Sequence, residues 1–388
     1  MKALFLIFHG FGETSGISKK ILYQVKALKE CGLDIHVCYY DISSDGKRRW
    51  MVDNKALTNL GYGITAKFRK RYDYKAISNY VLRENIGFVY IRSYHNANPF
   101  TIHMVNKMKS HGTKVVMEIP TYPYDQEYTK GAIFKLLVDR SFRNHLATVL
   151  DGIITFSNEK YIFGKQTIRI SNGIDFDAIP MKKQINDTTH ELHLLGVAEV
   201  HYWHGFDRLI YGLAKYYQAN PKYKVYFHIV GPLYGKREQE EILPVIRDNQ
   251  LEPYVLLHGP LHGKELDKLF ENADLAIGSL GRHRSGITYI KTLKNREYAA
   301  RGLAFTYSET DEDFDQMPYV WKALPNESPI DISELIKFQR SLTMSPQEIR
   351  GSVQSLSWTS QMKKVINEIG IFSGARVKTC VFVCYFLL

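Results

Sequence analysis

The chain has 388 residues, 45% of them hydrophobic, with 51 Lys and Arg against 40 Asp and Glu. That length exceeds one ordinary core, and that apolar content excludes a disordered chain. The formal charge of +11 favours anionic partners, whether phosphorylated substrates, phospholipid surfaces or nucleic acid.

Ala3–Phe8 reads as a buried strand, followed by the loop His9-Gly-Phe-Gly-Glu-Thr-Ser-Gly16. Its G-x-G-x-x-x-G spacing departs from the dinucleotide fingerprint, so a nicotinamide cofactor is disfavoured. Ile17, Ile21, Leu22, Val25 and Leu28 recur at helical spacing, and Gly32 ends that helix. Ile35–Tyr39 is the next strand. The basic run Lys67-Phe-Arg-Lys-Arg-Tyr-Asp-Tyr-Lys75 is either a solvated face or a contact for an anionic membrane. Phe88–Ile91 is a strand ending at Arg92-Ser-Tyr-His95, where His95 reads as a satisfied, partly buried histidine. A helix carries Ile102, Met104, Val105 and Met108. Strands follow at Lys114–Ile119 and Gly152–Phe156.

The pattern restarts after a hydrophilic joint at Met181–Thr189. Strands are expected at Leu192–Val197, Val225–Val230, Val255–Leu257 and Leu275–Ile277. Helices are expected at Phe206–Tyr217, Arg237–Asp248 and Glu265–Asn272. Strand and helix in alternation imply parallel sheets with helical crossovers, hence two doubly wound halves. Such sheets bind ligands at the carboxyl ends of their strands, and two facing sheets leave a cleft between domains.

Four stretches carry chemistry. Glu118-Ile-Pro-Thr-Tyr-Pro-Tyr-Asp-Gln-Glu127 follows a strand end and is stiffened by Pro120 and Pro123. Its carboxylates can accept from sugar hydroxyls and its rings can stack on sugar C–H edges, which nominates Glu118, Tyr122, Tyr124 and Asp125 for an acceptor. Ser171-Asn-Gly-Ile-Asp175 suits a turn in which Asn172 and Gly173 adopt positive φ. Trp203-His-Gly-Phe-Asp-Arg-Leu-Ile210 opens a helix and offers His204 and Arg208. Ser285–Tyr307 reads as loop, helix N-terminus, helix, glycine stop and strand. A helix N-terminus is an anion site. Gly286 and Ile287 would supply its loop, and Lys291, Lys294 and Arg284 the charge for a diphosphate. Glu297 could accept from ribose hydroxyls. Asp311-Glu-Asp313 has the spelling of a metal-binding D-x-D but reads as a solvated turn.

Leu293, Lys294, Glu297, Tyr298, Ala300 and Gly302 fit the "LK-x-x-EY-x-A-x-G" pattern, so the chain resembles GT-B glycosyltransferases of family 4. The Glu118 segment and Asn172-Gly-Ile-Asp175 resemble the same branch. The resemblance spans residues 1 to about 370 and implies a GT-B fold, α/β with two facing Rossmann-like domains and an inter-domain cleft. It implies an acceptor-side domain at 1–180 and a donor domain at 181–370, with 371–388 an apolar tail. It further implies retaining transfer of a sugar from a nucleotide diphosphate to a glycan or lipid-linked glycan for cell-surface polysaccharide synthesis, with no cofactor and no metal. Gly16 is carried over from the resemblance as a donor-side residue. Three departures stand out: His204 replaces the usual lysine, Glu199 or Val200 occupies the neighbourhood of the arginine expected before it, and Tyr289 replaces the first of two paired glutamates. The alternatives are another GT-B sugar-nucleotide enzyme, such as an epimerase or a phosphorylase, and a non-enzymatic anion or nucleic-acid binder. Nucleic acid is disfavoured because no helix-turn-helix, zinc-finger or RNA-recognition signature is present.

Cys31, Cys38, Cys380 and Cys384 form no disulfide framework and no zinc pattern, which points to a reducing cytoplasm. No leader is expected, since Ala3–Phe8 is short and runs into a glycine loop. No segment is long enough to span a bilayer, so the expected place is cytoplasmic, with peripheral contact on the inner membrane face. The apolar run Val381–Leu388 either touches a membrane or is an accidental extension of the reading frame.

Overall fold

The computed structural model describes residues 1–12, 16–125, 133–183 and 185–372. Glu127, Cys380, Cys384, Val381–Leu388 and part of the first glycine loop lie outside them. The chain forms two compact units. The first holds Met1–Thr155, Glu159–Ile170 and Met362 onward; the second holds Phe156–Asn158 and Ser171–Gln361. Residues 171–180, grouped by sequence with the first half, therefore belong to the second unit, and a C-terminal helix returns to the first.

The first unit runs β1 (Lys2–Leu6), α1 (Gly16–Glu30), β2 (Asp34–Ile42), β3 (Arg48–Val52), β4 (Lys55–Gly61), α2 (Gly63–Arg69), α3 (Lys75–Arg83), β5 (Phe88–Arg92), α4 (Pro99–Lys109), β6 (Lys114–Ile119), α5 (Ile133–Val149), β7 (Gly152–Thr155), β8 (Tyr161–Ile162) and β9 (Lys165–Arg169). Its nine strands lie in the order β4-β3-β2-β1-β5-β6-β7-β9-β8. The pairs from β2 through β9 are parallel. A hairpin absent from the sequence reading, β3–β4, extends one edge antiparallel. It turns on Asp53 and Asn54, both at positive φ (45° and 66°), the conformation two-residue hairpin loops require. The core packs Phe8 edge-on against Trp50 and Tyr74 and stacks it on Tyr94. Part of the basic run is absorbed here. Lys70 lies buried over the Tyr40 and Tyr94 rings at 4.4 and 4.1 Å, and Arg69 pairs with Asp73. Lys67 and Lys75 stay exposed.

The second unit runs β10 (Glu191–Val197), α6 (Phe206–Gln218), β11 (Lys224–Val230), α7 (Lys236–Asp248), β12 (Val255–Gly259), α8 (Gly263–Asn272), β13 (Leu275–Ile277), α9 (Leu293–Arg301), β14 (Phe305–Tyr307), β15 (Val320–Lys322), α10 (Ile332–Ser341) and α11 (Pro346–Ser352). α12 (Trp358–Ile369) then leads back to the first unit. The six strands are parallel in the order β12-β11-β10-β13-β14-β15. That order reverses between β10 and β13, the point at which doubly wound sheets open a crevice at their carboxyl ends.

Two local expectations are corrected. Neither Asn172 nor Gly173 has positive φ. Gly173 is glycine because a Cβ there would lie 2.3 Å from the Trp358 ring. Nor is Asp311-Glu-Asp313 a solvated turn. Asp311 is fully buried, and the buried Arg296 guanidinium sits between Asp311 and Asp313, with Nη2 2.9 Å from Asp311 Oδ1 and Nε 3.0 Å from Ser171 Oγ. Removing one partner of such a pair strands a buried charge. Arg296→Leu should therefore lower stability by about 3–5 kcal/mol, read as a drop in the urea midpoint; a loss below 1 kcal/mol would place the pair in solvent.

Candidate active site

The loops after β10 and β13 meet at the reversal point. Gly205 adopts φ 62°, and a Cβ there would lie 2.5 Å from Gly281 N. Leu280 N donates to His204 O at 2.8 Å and Gly281 N to Trp203 O at 3.2 Å. This backbone approach, open only to glycine, sets the turn Tyr202–His204 beside the turn Arg282–Ser285.

α9 begins beside these turns but later than the sequence suggested. Ile287, Thr288 and Ile290 are β-branched and favour extended backbone. Tyr289 accordingly pairs with Thr310, with Thr310 N donating to Thr288 O at 2.7 Å. The helix starts at Leu293, where Thr292 caps Asn295 N at 3.4 Å. Lys291 thus precedes the helix, its ammonium 3.8 Å from Asp313. Lys294 stands in the first turn. Its stem is partly exposed, whereas its ammonium is enclosed and has no hydrogen-bond partner. Burial lowers its pKa to about 7, with Glu309 opposing that shift and Arg282 adding to it.

Sequence reasoning missed Glu309, which follows β14. It is 1% exposed and neither carboxyl oxygen has a partner. Burial pushes its pKa up to about 7 against the pull of Arg282 and Lys294. Arg282 Nε is likewise buried and unpartnered, as are Ser279 Oγ, Thr306 Oγ1 and Asn295 Oδ1. Orphaned polar atoms are rare in native interiors, and a cluster of them marks a place where a ligand or water belongs. A signal existed. Gly278-Ser279 and Ser308-Glu309 are polar residues directly after apolar strands, where an open α/β sheet presents side chains to ligand. His204 adjoins this cluster. Its Nδ1 accepts from His201 N at 2.9 Å, so the neutral ring carries its proton on Nε2. Burial, then Lys294 and Arg282, hold its pKa well below the usual value. It therefore supplies no charge in place of the lysine expected there.

The other nominated residues are committed elsewhere. Arg284 spends all five donors on Asp207, Glu327 and Tyr202 O, including the 2.7 and 2.9 Å fork to Asp207. It has none left for a diphosphate. Arg208 is 2% exposed and bonds Ser328 O, Leu280 O and Asn326. It ties the β13 loop in place rather than meeting solvent. Gly286 (φ 69°) and Ile287 are exposed, with the Gly286 N–H bonded to His283 O at 3.1 Å. Glu297 accepts from Arg301 at 2.9 Å, and its side chain is 37% exposed.

In the first unit, Glu118 is fully buried. It accepts from Tyr90 and Gln24 at 2.6 Å each and pairs with Arg92 and with Lys20 at 3.6 Å. Its oxygens are filled from within. Tyr124 is 3% exposed, donates to Asp139 at 2.7 Å and stacks on His95. Asp125 is clamped by Arg140 and Arg143. Tyr122 packs edge-on against Phe163. These four hold the loop after β6 in shape. Gly16 opens α1, and among the described residues nothing beyond its own stretch of chain lies within 4 Å of where its Cβ would stand. Among the described residues no group of three or more His, Cys, Asp or Glu could hold a metal, and no helix is long and apolar enough to cross a membrane.

No family model and no curated protein matches the sequence. Solved structures match its fold over nearly all of it. Sucrose-phosphate synthase from Thermosynechococcus elongatus superposes at TM-score 0.64 with 13% identity, covering 96% of this chain and 100% of that one. HepE of Anabaena, solved with UDP and glucose, superposes at 0.60 with 14% identity and the same coverage. A putative UDP-N-acetylglucosamine 2-epimerase from Listeria monocytogenes superposes at 0.55 with 10% identity, covering 96% and 97%. The chain thus has the GT-B fold.

Lys294 gives a test that needs no ligand. Its lowered pKa means the unfolded chain binds the lysine proton more tightly, so its burial destabilises the fold fully below pH 7. That penalty fades as pH rises toward 10.5, the ordinary lysine value. Lys294→Met should stabilise the protein by about 1–3 kcal/mol at pH 7, with the gain shrinking by pH 10 in chemical-denaturation curves. Destabilisation at pH 7 would show that the ammonium is paired.

Proposed function

We propose that the protein is a glycosyltransferase that takes a sugar from a nucleoside diphosphate and passes it to a hydroxyl of a glycan or lipid-linked glycan. The observation that carries this reading is the pair Lys294 and Arg282, two partly exposed cations whose Nζ and Nε atoms are enclosed and unpartnered at the reversal point of the second sheet. A cation enclosed in a dry site costs free energy unless an anion is meant to arrive. The first turn of α9 adds N–H groups and the positive end of a helix dipole. The fold shared with HepE, solved with UDP and glucose, makes a nucleoside diphosphate the fitting anion.

In the reaction, the bond from the sugar's anomeric carbon to the diphosphate oxygen breaks, and its electron pair stays on the diphosphate. Lys294 and Arg282 face the charge that grows there, in a setting where it is little screened. An acceptor hydroxyl closes on the cationic sugar carbon, and its proton passes to the departing diphosphate oxygen as the new C–O bond forms. The chain's own cations supply the charge, so no metal enters the proposal. Retention at the anomeric carbon is part of it, as is a role in cell-surface polysaccharide synthesis. Glu297, partly exposed on α9, is the proposed ribose contact.

A second reading, epimerisation of a sugar nucleotide, is favoured by the fold shared with the Listeria protein. Incubation with UDP-sugars separates the two: a transferase gives a glycosylated acceptor and free UDP, and an epimerase a new free sugar or sugar nucleotide.

In a thermal-shift screen against UDP, GDP, ADP and CMP, one nucleoside diphosphate should raise Tm. Lys294→Met should abolish that shift while raising the Tm of the unliganded protein. No shift with any nucleotide would sink the reading. Peripheral membrane contact is proposed through exposed Ile64, Phe68 and Lys67 of α2. Flotation with phosphatidylglycerol vesicles but not with phosphatidylcholine vesicles is the expected outcome, lost in Phe68→Ser/Lys67→Glu.

A further inference from the structure

Glu309 is left unexplained by a site built only to hold an anion. It is enclosed, both oxygens lack partners, and its neighbours are the two cations assigned to the diphosphate. As a carboxylate it would cancel one of them and repel the incoming phosphates. As a carboxylic acid it would do neither, and its O–H could donate to a phosphate or sugar oxygen.

We propose that Glu309 is a binding residue that meets the nucleoside diphosphate sugar as a neutral carboxylic acid, so that seating the diphosphate on Lys294 and Arg282 fixes a proton on Glu309. This rests on the reading of the site as a nucleotide-sugar pocket. The proton balance is simple. Where Glu309 is ionised in the free protein, one proton is taken from solvent, the carboxyl O–H forms, and no other bond changes.

The surroundings agree. Lys294 of α9 and Arg282 of the turn after β13 are the cations near Glu309, and Asp311 on its own loop is the nearby acid. Tyr298 of α9 and Tyr307 of β14 also sense its charge. The β15 ammonium, Lys322, bonds the Glu309 carbonyl and pairs with Asp315, so it does not neutralise the carboxyl. His204 across the site is neutral. Burial dominates these effects and sets the pKa at about 7. The acid form is therefore present below pH 7 and is lost as pH rises through it. Ligand binding that needs this form must weaken over the same range.

The test is calorimetric titration with UDP, or with GDP or ADP where the shift screen selects it, at pH 6 to 9. Wild type and E309Q are compared. Protons contributed by the ligand's terminal phosphate occur in both proteins and cancel in the difference, whereas Lys294 loses the raising influence of Glu309 in E309Q, so the slope difference is read together with the infrared signature of the acid itself. Wild type should lose affinity more steeply above pH 7, by up to about tenfold more per pH unit than E309Q, whose amide cannot ionise. Difference infrared spectra of wild type, ligand-bound minus free at pH 8, should show the carbonyl stretch of a protonated carboxylic acid. That measurement decides the matter even where E309Q does not fold. Equal pH slopes, or bound wild type without the acid stretch, would overturn this role for Glu309 while leaving the nucleotide site standing. Absence of binding by any of the three nucleotides would remove both.

Discussion

A charge taken out of water must be met by an opposite charge or by hydrogen-bonding atoms, and the second unit obeys this almost everywhere. Arg296 is closed between Asp311 and Asp313, Arg284 between Asp207 and Glu327, and Arg208 among carbonyl oxygens. Each holds two loops together, so each is architecture. Lys294, Arg282 and Glu309 break the rule at one place. A fold that keeps an unmet charge stays costly until a partner arrives, which is why these three, rather than the more numerous paired cations, carry the proposed site.

The place follows from backbone geometry. Six parallel strands point their carboxyl ends the same way, and the order reverses between β10 and β13. At that reversal the connecting helices leave for opposite faces, and their departing loops leave a crevice. The Gly205–Gly281 approach joins the two loops there, with bonds from Leu280 and Gly281 to the turn after β10. The late start of α9 then decides which lysine enters. Lys294 falls in the first turn, whereas Lys291 is held in the extended stretch near Asp313.

Much of the fold was legible because parallel strands buried on both faces are written as short apolar runs, and the crossover helices show a strong apolar period. Thus β1, β5, β6, β10, β11 and β13 stand where those runs stand. The β3–β4 hairpin was hidden because Arg48–Val52 and Lys55–Gly61 mix charge with apolar residues and show no run, although Asp53-Asn54 marked its turn. The loop after β6 misled for a different reason. Carboxylates and tyrosines spell the same letters whether they face a sugar or face one another, and Glu118 and Tyr124 face inward.

The order of amino acids was enough to set the alternation of strand and helix, and hence two doubly wound sheets. It also marked Ser285–Tyr307 as a loop–helix–strand unit rich in cations. Those properties are local, set by period, propensity and caps. Which charges are paired was settled by long-range packing. Partners such as Arg284 with Asp207, or Arg296 with Ser171, lie 77 and 125 residues apart. Whether a buried cation is satisfied depends on the atoms that folding brings to it. The same encounter left Lys294 and Glu309 within electrostatic reach of one another and without hydrogen-bond partners.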